Sequence, residues 1–248
     1  VNNDLGLTII LSTKDRQMTL DLRSTKGVIA TSLKHPSLNE KQRVLGACEW
    51  QGVIRGMEEE SMVALSTCPV LRGIIMGEEA EILVEPAFGS ASLNDSHLMY
   101  SAAILDSPVS RCGVNDSVTR TGNWTIEDNT QRIASRNRRS ILSQAHGPLW
   151  TNKLTRFVEL VLVVDQSFYQ TFREEVYSRC RGIVNIVNAV FRDLHIVVVL
   201  TDIEVWSDGD KIQVSSDHVG TLENLSKYRV KMLKENIGTN NDNTILLT

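Results

Sequence analysis

No apolar run in this chain approaches the roughly 18 residues that a membrane-crossing helix needs. A charged-then-apolar secretion segment is missing as well, since the sequence opens Val1-Asn2-Asn3-Asp4, without Met. The chain is therefore expected to be a piece of a longer product, with any signal or membrane anchor in the parent outside it. Basic charge is not in surplus either. A formal net charge of −4 and a pI near 5.8 argue against nucleic acid as a partner, so the arginine cluster at 132–139 is a local feature. What is present is apolar material, 42% of 248 residues, enough for two ordinary domains with real cores.

The first half lacks any long helical periodicity. Leu5-Gly6-Leu7-Thr8-Ile9-Ile10-Leu11 and Met18-Thr19-Leu20-Asp21-Leu22 alternate or run apolar over strand lengths, and the polar Ser12-Thr13-Lys14-Asp15-Arg16-Gln17 between them gives a hairpin pattern. Further strands are predicted at 62–66, 73–76 and 80–84. Cys48 and Cys68 each lie within or beside a strand-like run. In an oxidising compartment they would bridge neighbouring strands, a link of about 3 kcal/mol for such a loop. Two reduced core cysteines are the alternative, because four cysteines allow three pairings.

Two further features lie between residues 111 and 140. One is a lone thiol in Arg111-Cys112-Gly113-Val114. The other is Arg136-Asn137-Arg138-Arg139-Ser140, which fits the Arg-X-Arg/Lys-Arg pattern that furin-type convertases cut, in a polar linker of the kind where proteolysis concentrates. A cut would start the mature chain at Ser140, and a solvated basic run at a domain edge is the other reading. Asn94-Asp95-Ser96, Asn115-Asp116-Ser117, Asn123-Trp124-Thr125 and Asn224-Leu225-Ser226 are glycosylation acceptors if the protein enters the secretory pathway, outside the cell or at its surface.

The second half alternates strand and helix. Phe157-Val158-Glu159-Leu160-Val161-Leu162-Val163-Val164-Asp165 is nearly continuous in apolar residues, as for a strand covered on both faces. Phe172, Val176, Cys180, Ile183, Val187 and Val190 recur at spacings of three and four, one face of a helix that makes Cys180 a buried free thiol. Residues 194–206 form a β-branched strand, Val219, Leu222, Leu225 and Met232 mark a second helix, and 244–248 open a third strand. This order predicts a mostly parallel sheet with right-handed crossovers.

Several spaced segments together resemble the adamalysin/reprolysin family, the ADAM and snake-venom zinc metalloproteases. In the first half they are Cys48-Glu49-Trp50-Gln51-Gly52-Val53, Ser61-Met62-Val63-Ala64-Leu65-Ser66-Thr67-Cys68-Pro69-Val70-Leu71-Arg72-Gly73-Ile74 and Ile82-Leu83-Val84-Glu85-Pro86, which are similar to the family's propeptide. In the second half Arg156-Phe157-Val158-Glu159, Ile203-Glu204-Val205-Trp206-Ser207-Asp208 and Asn241-Asp242-Asn243-Thr244-Ile245-Leu246-Leu247-Thr248 are similar to its catalytic domain. The resemblance implies an α/β chain: a β-rich inhibitory and chaperoning propeptide at 1–139, a linker at 140–153, and at 154–248 the N-terminal part of a three-layer metzincin-type domain.

It further implies that Cys112 is a cysteine switch. A thiolate binds zinc at about 2.3 Å and would occupy the position of the catalytic water. Arg111 stands where the family often has Met. Glu159 and Asp242 fall at positions of calcium ligands in many members, two carboxylates suited to a hard cation; an ordinary ion pair is the other reading of Glu159. The cysteine that often follows the Trp-Ser-Asp turn is absent, with Ile212 nearby instead.

The zinc signature His-Glu-X-X-His is not in this sequence. None of the five histidines is followed by Glu, and no two lie four apart. The family's chemistry, cleavage of protein substrates with zinc, is thus expected of a parent protein, while 1–248 alone is expected to be inactive. Two readings of other classes compete. Asp165-Gln166-Ser167 after an apolar strand is similar to the Asp-X-Ser-X-Ser metal site of von Willebrand A-type adhesion domains, with Tyr169 in place of the second Ser. The other is a short form that acts only as a secreted binding or inhibitory module.

Overall fold

The computed structural model describes residues 6–12, 17–25, 28–29, 48–78, 81–87, 92–93, 95–101, 154–234 and 241–248. Seven strands form an antiparallel meander in sequence order: β1 (Gly6–Ser12), β2 (Gln17–Ser24), β3 (Glu49–Ile54), β4 (Met62–Ser66), β5 (Arg72–Met76), β6 (Glu81–Pro86) and β7 (His97–Ser101). The β1–β2 pairing, from Gly6 opposite Arg23 to Ser12 opposite Gln17, is the hairpin expected from the alternation. Strands at 62–66, 73–76 and 80–84 are found within a residue or two of their expected bounds. β7 was not foreseen, since its two apolar neighbours Leu98 and Met99 break the alternation.

The sheet curls around its own core of Leu20, Leu22, Trp50, Ile54, Val63, Leu65, Leu71, Ile75 and Val84. β4 is buried along its whole length. Its odd residues, Val63 and Leu65, face that core, while Met62 and Ala64 face the other way and pack with Ile186 and Ala189 of a distant helix. The period-2 geometry of a strand requires such a split when both faces are covered. Gly73, at φ 144°, closes the same region. A side chain there would place Cβ 2.0 Å from the Ala64 carbonyl oxygen, so only glycine lets β5 lie this close to β4.

The second half holds β8 (Arg156–Val164), α1 (Gln166–Phe172), α2 (Val176–Phe191), β9 (Ile196–Val205), α3 (His218–Lys234) and β10 (Asn243–Leu247). The three strands form a wholly parallel sheet in the order β10-β8-β9. β8 is apolar on both faces because both are covered. Leu160, Leu162 and Val164 pack with Val176, Cys180 and Val184 of α2, and Val161 and Val163 pack with Trp206, Tyr228 and Leu246 on the opposite side. The register slips between Leu160 and Val161, and there the Thr201 hydroxyl donates to the Leu160 carbonyl at 2.9 Å.

Two expectations need correction. The helical face of 172–190 is not continuous: a 3-10 turn at Arg173–Glu175 separates α1 from α2, and Val190 is exposed at its far end. In α3, Val219 and Leu222 are exposed, and Leu225 and Met232 alone of its residues are buried. No described helix is long and apolar enough to cross a membrane.

Candidate functional site at the junction of the two sheets

α2 lies against both sheets, and the face it turns to β3 and β4 carries the polar Arg181 and Asn185 beside the apolar Ile186 and Ala189. Arg181 and Glu49 are both almost fully buried, and Arg181 Nη2 lies 2.7 Å from the Glu49 carboxylate. Burying opposite charges is tolerable only when they are paired, because each loses its water. Arg181 Nε–H has no acceptor among the described residues.

One turn on, Asn185 is 1% exposed and its side-chain amide is fully used. Nδ2 donates to the Trp50 and Leu65 carbonyls, 3.1 Å each. Oδ1 accepts from Gln51 Nε2 at 3.1 Å and from the Thr25 hydroxyl at 3.3 Å. Gln51 Nε2 also donates to the Asn185 backbone carbonyl at 2.9 Å. Trp50 and Leu65 are cross-strand neighbours, so Asn185 reads the backbone of two adjacent strands at once. Asn188, three residues further, ties the helix to the other sheet: Nδ2 donates to the Val198 carbonyl at 2.7 Å and Oδ1 accepts from Val198 N–H at 2.8 Å.

The strand ends that Asn185 reads are clamped. Cys48 and Cys68 form a disulfide with Cα atoms 5.3 Å apart, just outside the Glu49–Ser66 pair, as the strand-like flanks suggested. Trp50 Nε1 donates to the Thr67 hydroxyl at 3.0 Å beside it. At the rim, Arg72 bonds Glu85 at 3.1 Å and Glu175 at 2.7 Å, while Arg179 lies 3.6 Å from Glu85 and 3.4 Å from Glu175 and over the Phe172 ring.

A third contact is through backbone. Leu200 N–H donates to the Val28 carbonyl at 2.8 Å, Ile29 pairs with Leu200 in parallel, and Val28 is buried in the core under α2.

Elsewhere the predicted site residues are only partly brought together. Glu159 and Asp242 are neighbours at the start of β8 and before β10. Asp242 Oδ2 accepts from Glu159 N–H, and Asp242 N–H donates to the Glu159 carbonyl, both at 2.9 Å. Arg229 Nη2 donates to the Asn241 and Asp242 carbonyls at 2.8 and 3.0 Å, which places a cation beside them already. Asn224 lies in α3, and its Nδ2, the atom a glycan would occupy, donates to the Gln213 carbonyl at 3.1 Å. Asp165 caps α1, its carboxylate accepting from Phe168 N–H at 2.7 Å. Cys180 is a free, buried thiol, and burial pushes its pKa up to about 12. Cys112, Arg136, Arg138, Arg139, Ser140, Asn94, Asn115 and Asn123 lie outside the described residues.

The described residues do not fit a catalytic zinc site. Among the described residues no three of His, Cys, Asp and Glu converge as a metal group. The polar stripe Arg181/Asn185 was missed from sequence because an Arg and an Asn one turn apart look like a solvated helix face. The one available signal was the small Ala189 a further turn along, which marks close packing on that side.

Residues 156–248 match a family described as reprolysin (M12B) family zinc metalloprotease. The chain is 30% identical over 242 residues to disintegrin and metalloproteinase domain-containing protein 12 of Mus musculus, a match of 92% of this chain and 25% of that protein. It is 31% identical over 205 residues to protein 19 of the same series from Mus musculus, covering 81% of this chain and 21% of the relative. A third relative, protein 1 of the series from Rattus norvegicus, is 30% identical over 206 residues, 82% of this chain and 24% of its own length. The chain thus spans about a quarter of the length of the curated relatives it matches.

Proposed function

Because the chain belongs to the adamalysin/reprolysin family of zinc metalloproteases, we propose that it is the latent N-terminal portion of an ADAM-type endopeptidase acting on protein substrates. In this reading residues 1–139 are the propeptide and 154–248 begin a metzincin-type catalytic domain. The junction on α2 carries the reading: a β-rich half is held on the half that matches the family through a buried ion pair, a fully bonded Asn185 and a backbone bridge from Val28 and Ile29 to Leu200. A leader that inhibits must bind more tightly than a tethered neighbour, and buried polar groups leave it one docked geometry.

Cys112 is then the thiol that occupies zinc supplied by residues outside this chain, and a furin-type convertase cuts after Arg139 in the secretory pathway. The carboxylates of Glu159 and Asp242 offer oxygen ligands for calcium, that of Asp242 in competition with the Glu159 N–H it now accepts from. The disulfide supports an oxidising compartment.

Convertase treatment of the chain tests this. The expected result is a new N-terminus Ser140-Ile141-Leu142, with the two pieces still eluting together after the cut. An uncut chain, or pieces that separate at once at micromolar concentration, would overturn it.

A further inference from the structure

Val28 and Ile29 are distant in sequence from the parallel sheet and yet form part of it. β9 is an outer strand of the order β10-β8-β9 and runs for 10 residues, Ile196–Val205, rich in valine and isoleucine. A long apolar edge of this kind is a template for another strand unless something covers it. Among the described residues the cover has two components. Leu200 N–H donates to the Val28 carbonyl at 2.8 Å, and the Val28 side chain, 5% exposed, completes a core with Leu160, Leu162, Val184, Val198 and Leu200. Ile29 sits opposite Leu200 in parallel register.

We propose that the outer edge of β9 is a peptide-binding site, taking an extended segment parallel to β9 with a β-branched aliphatic side chain in the Val28 socket. Val28 and Ile29 are its resident occupants. Backbone bonding to an edge supplies affinity for any extended chain, and a socket for one side chain supplies selectivity, as in other strand-addition sites. Valine suits the socket because its χ1 is already restricted, so little freedom is lost on burial. A polar side chain there would enter a cluster whose buried members are aliphatic apart from the Cys180 thiol, at a cost in lost hydration. The site is independent of the latency reading, since it depends only on β9 and the core beneath it.

The test uses the full chain carrying Val28→Asp and a synthetic peptide with the sequence of residues 25–32. Amide exchange at Leu200 should rise about tenfold or more in the variant, while Val63 and Leu65 in the antiparallel sheet keep their protection. Added peptide should restore protection at Leu200, and the same peptide with Asp in place of Val28 should not. Unchanged exchange at Leu200 in the variant, or a folded variant that the peptide fails to protect, would overturn the proposal. Protection that returns with chain concentration and not with peptide would assign the edge to a second copy, and would overturn it too. If Val28→Asp does not fold, Val28→Ala is used with the same two peptides, and a smaller rise reversed only by the valine peptide is expected.

Discussion

The two faces of α2 bury comparable lengths of one helix by opposite means. Toward β8 and β9 it presents Val176, Cys180 and Val184, fully buried, with one buried amide, Asn188, satisfied by the Val198 backbone. Toward β3 and β4 it presents, beside the apolar Ile186 and Ala189, Arg181 and Asn185, whose partners must all be supplied by the other half. An apolar face accepts any surface of the right shape, so it stabilises without choosing. The polar face accepts only a sheet with Glu49, Gln51 and the Trp50 and Leu65 carbonyls in register, and its burial is favourable only for that partner. The first face belongs to a domain core, whereas the second has the chemistry of recognition.

The strongest way to break this comparison is to remove one charge. Arg181→Ala leaves the Glu49 carboxylate buried and unpaired, and should destabilise the chain by about 3–5 kcal/mol in urea unfolding. Val184→Ala on the other face should cost less, about 2 kcal/mol for lost methyl burial and a small cavity. The double change Arg181→Met with Glu49→Leu sharpens the contrast, because it should recover most of the loss. Were Arg181→Ala milder than Val184→Ala, water would have to reach the pair, and the polar face would be no recognition surface.

The same contrast explains what the sequence could disclose. Apolar spacing reports burial directly, so the Val176/Cys180 stripe, the doubly covered β8 and the β1–β2 hairpin could be foreseen from period alone. Arg181 and Asn185 carry no such signal. A polar residue is buried only where a remote partner meets it, and the partners Glu49, Gln51, Trp50 and Leu65 lie more than a hundred positions away. Val28 was hidden for a related reason: a single valine in a mixed segment has no periodicity to mark the strand it joins. Cys48 and Cys68 were legible through their strand-like flanks and Glu159 and Asp242 through resemblance, and the structure brings each pair together.

A middle-sized effect tests the apolar face by pH. Burial raises the Cys180 thiol from an ordinary value of 9.0 to about 12, so between these values the unfolded chain loses a proton that the folded chain keeps. The stabilising contribution is fully present below pH 9.0 and declines as pH rises toward 12, by about 1.4 kcal/mol per unit. Cys180→Ala removes that slope, so the stability difference between the two chains should narrow from pH 9 to 10.5. Iodoacetamide at pH 8 should likewise leave Cys180 unlabelled until the chain unfolds. Rapid labelling of a folded Cys180 would mean that the apolar face opens, and with it the distinction between the two faces.

The smallest expected effect lies at the rim, where the polar face meets solvent. Arg72, Glu85, Glu175 and Arg179 form an alternating cluster with contacts of 2.7 to 3.6 Å, and it resembles the Arg181–Glu49 pair in chemistry while differing in surroundings. Glu175 is about half exposed, at 47%, so water and salt compete for its charge. Exposed pairs contribute about 0–1 kcal/mol, and less as ionic strength rises. Glu175→Gln should therefore shift stability by under about 1 kcal/mol in low salt, with the shift fading in 0.5 M sodium chloride. The loss in Arg181→Ala should persist in the same buffer, because ions cannot reach a buried carboxylate. A salt-insensitive loss for Glu175→Gln as large as that for Arg181→Ala would show that the rim, and not Asn185 with its neighbours, holds the two halves together.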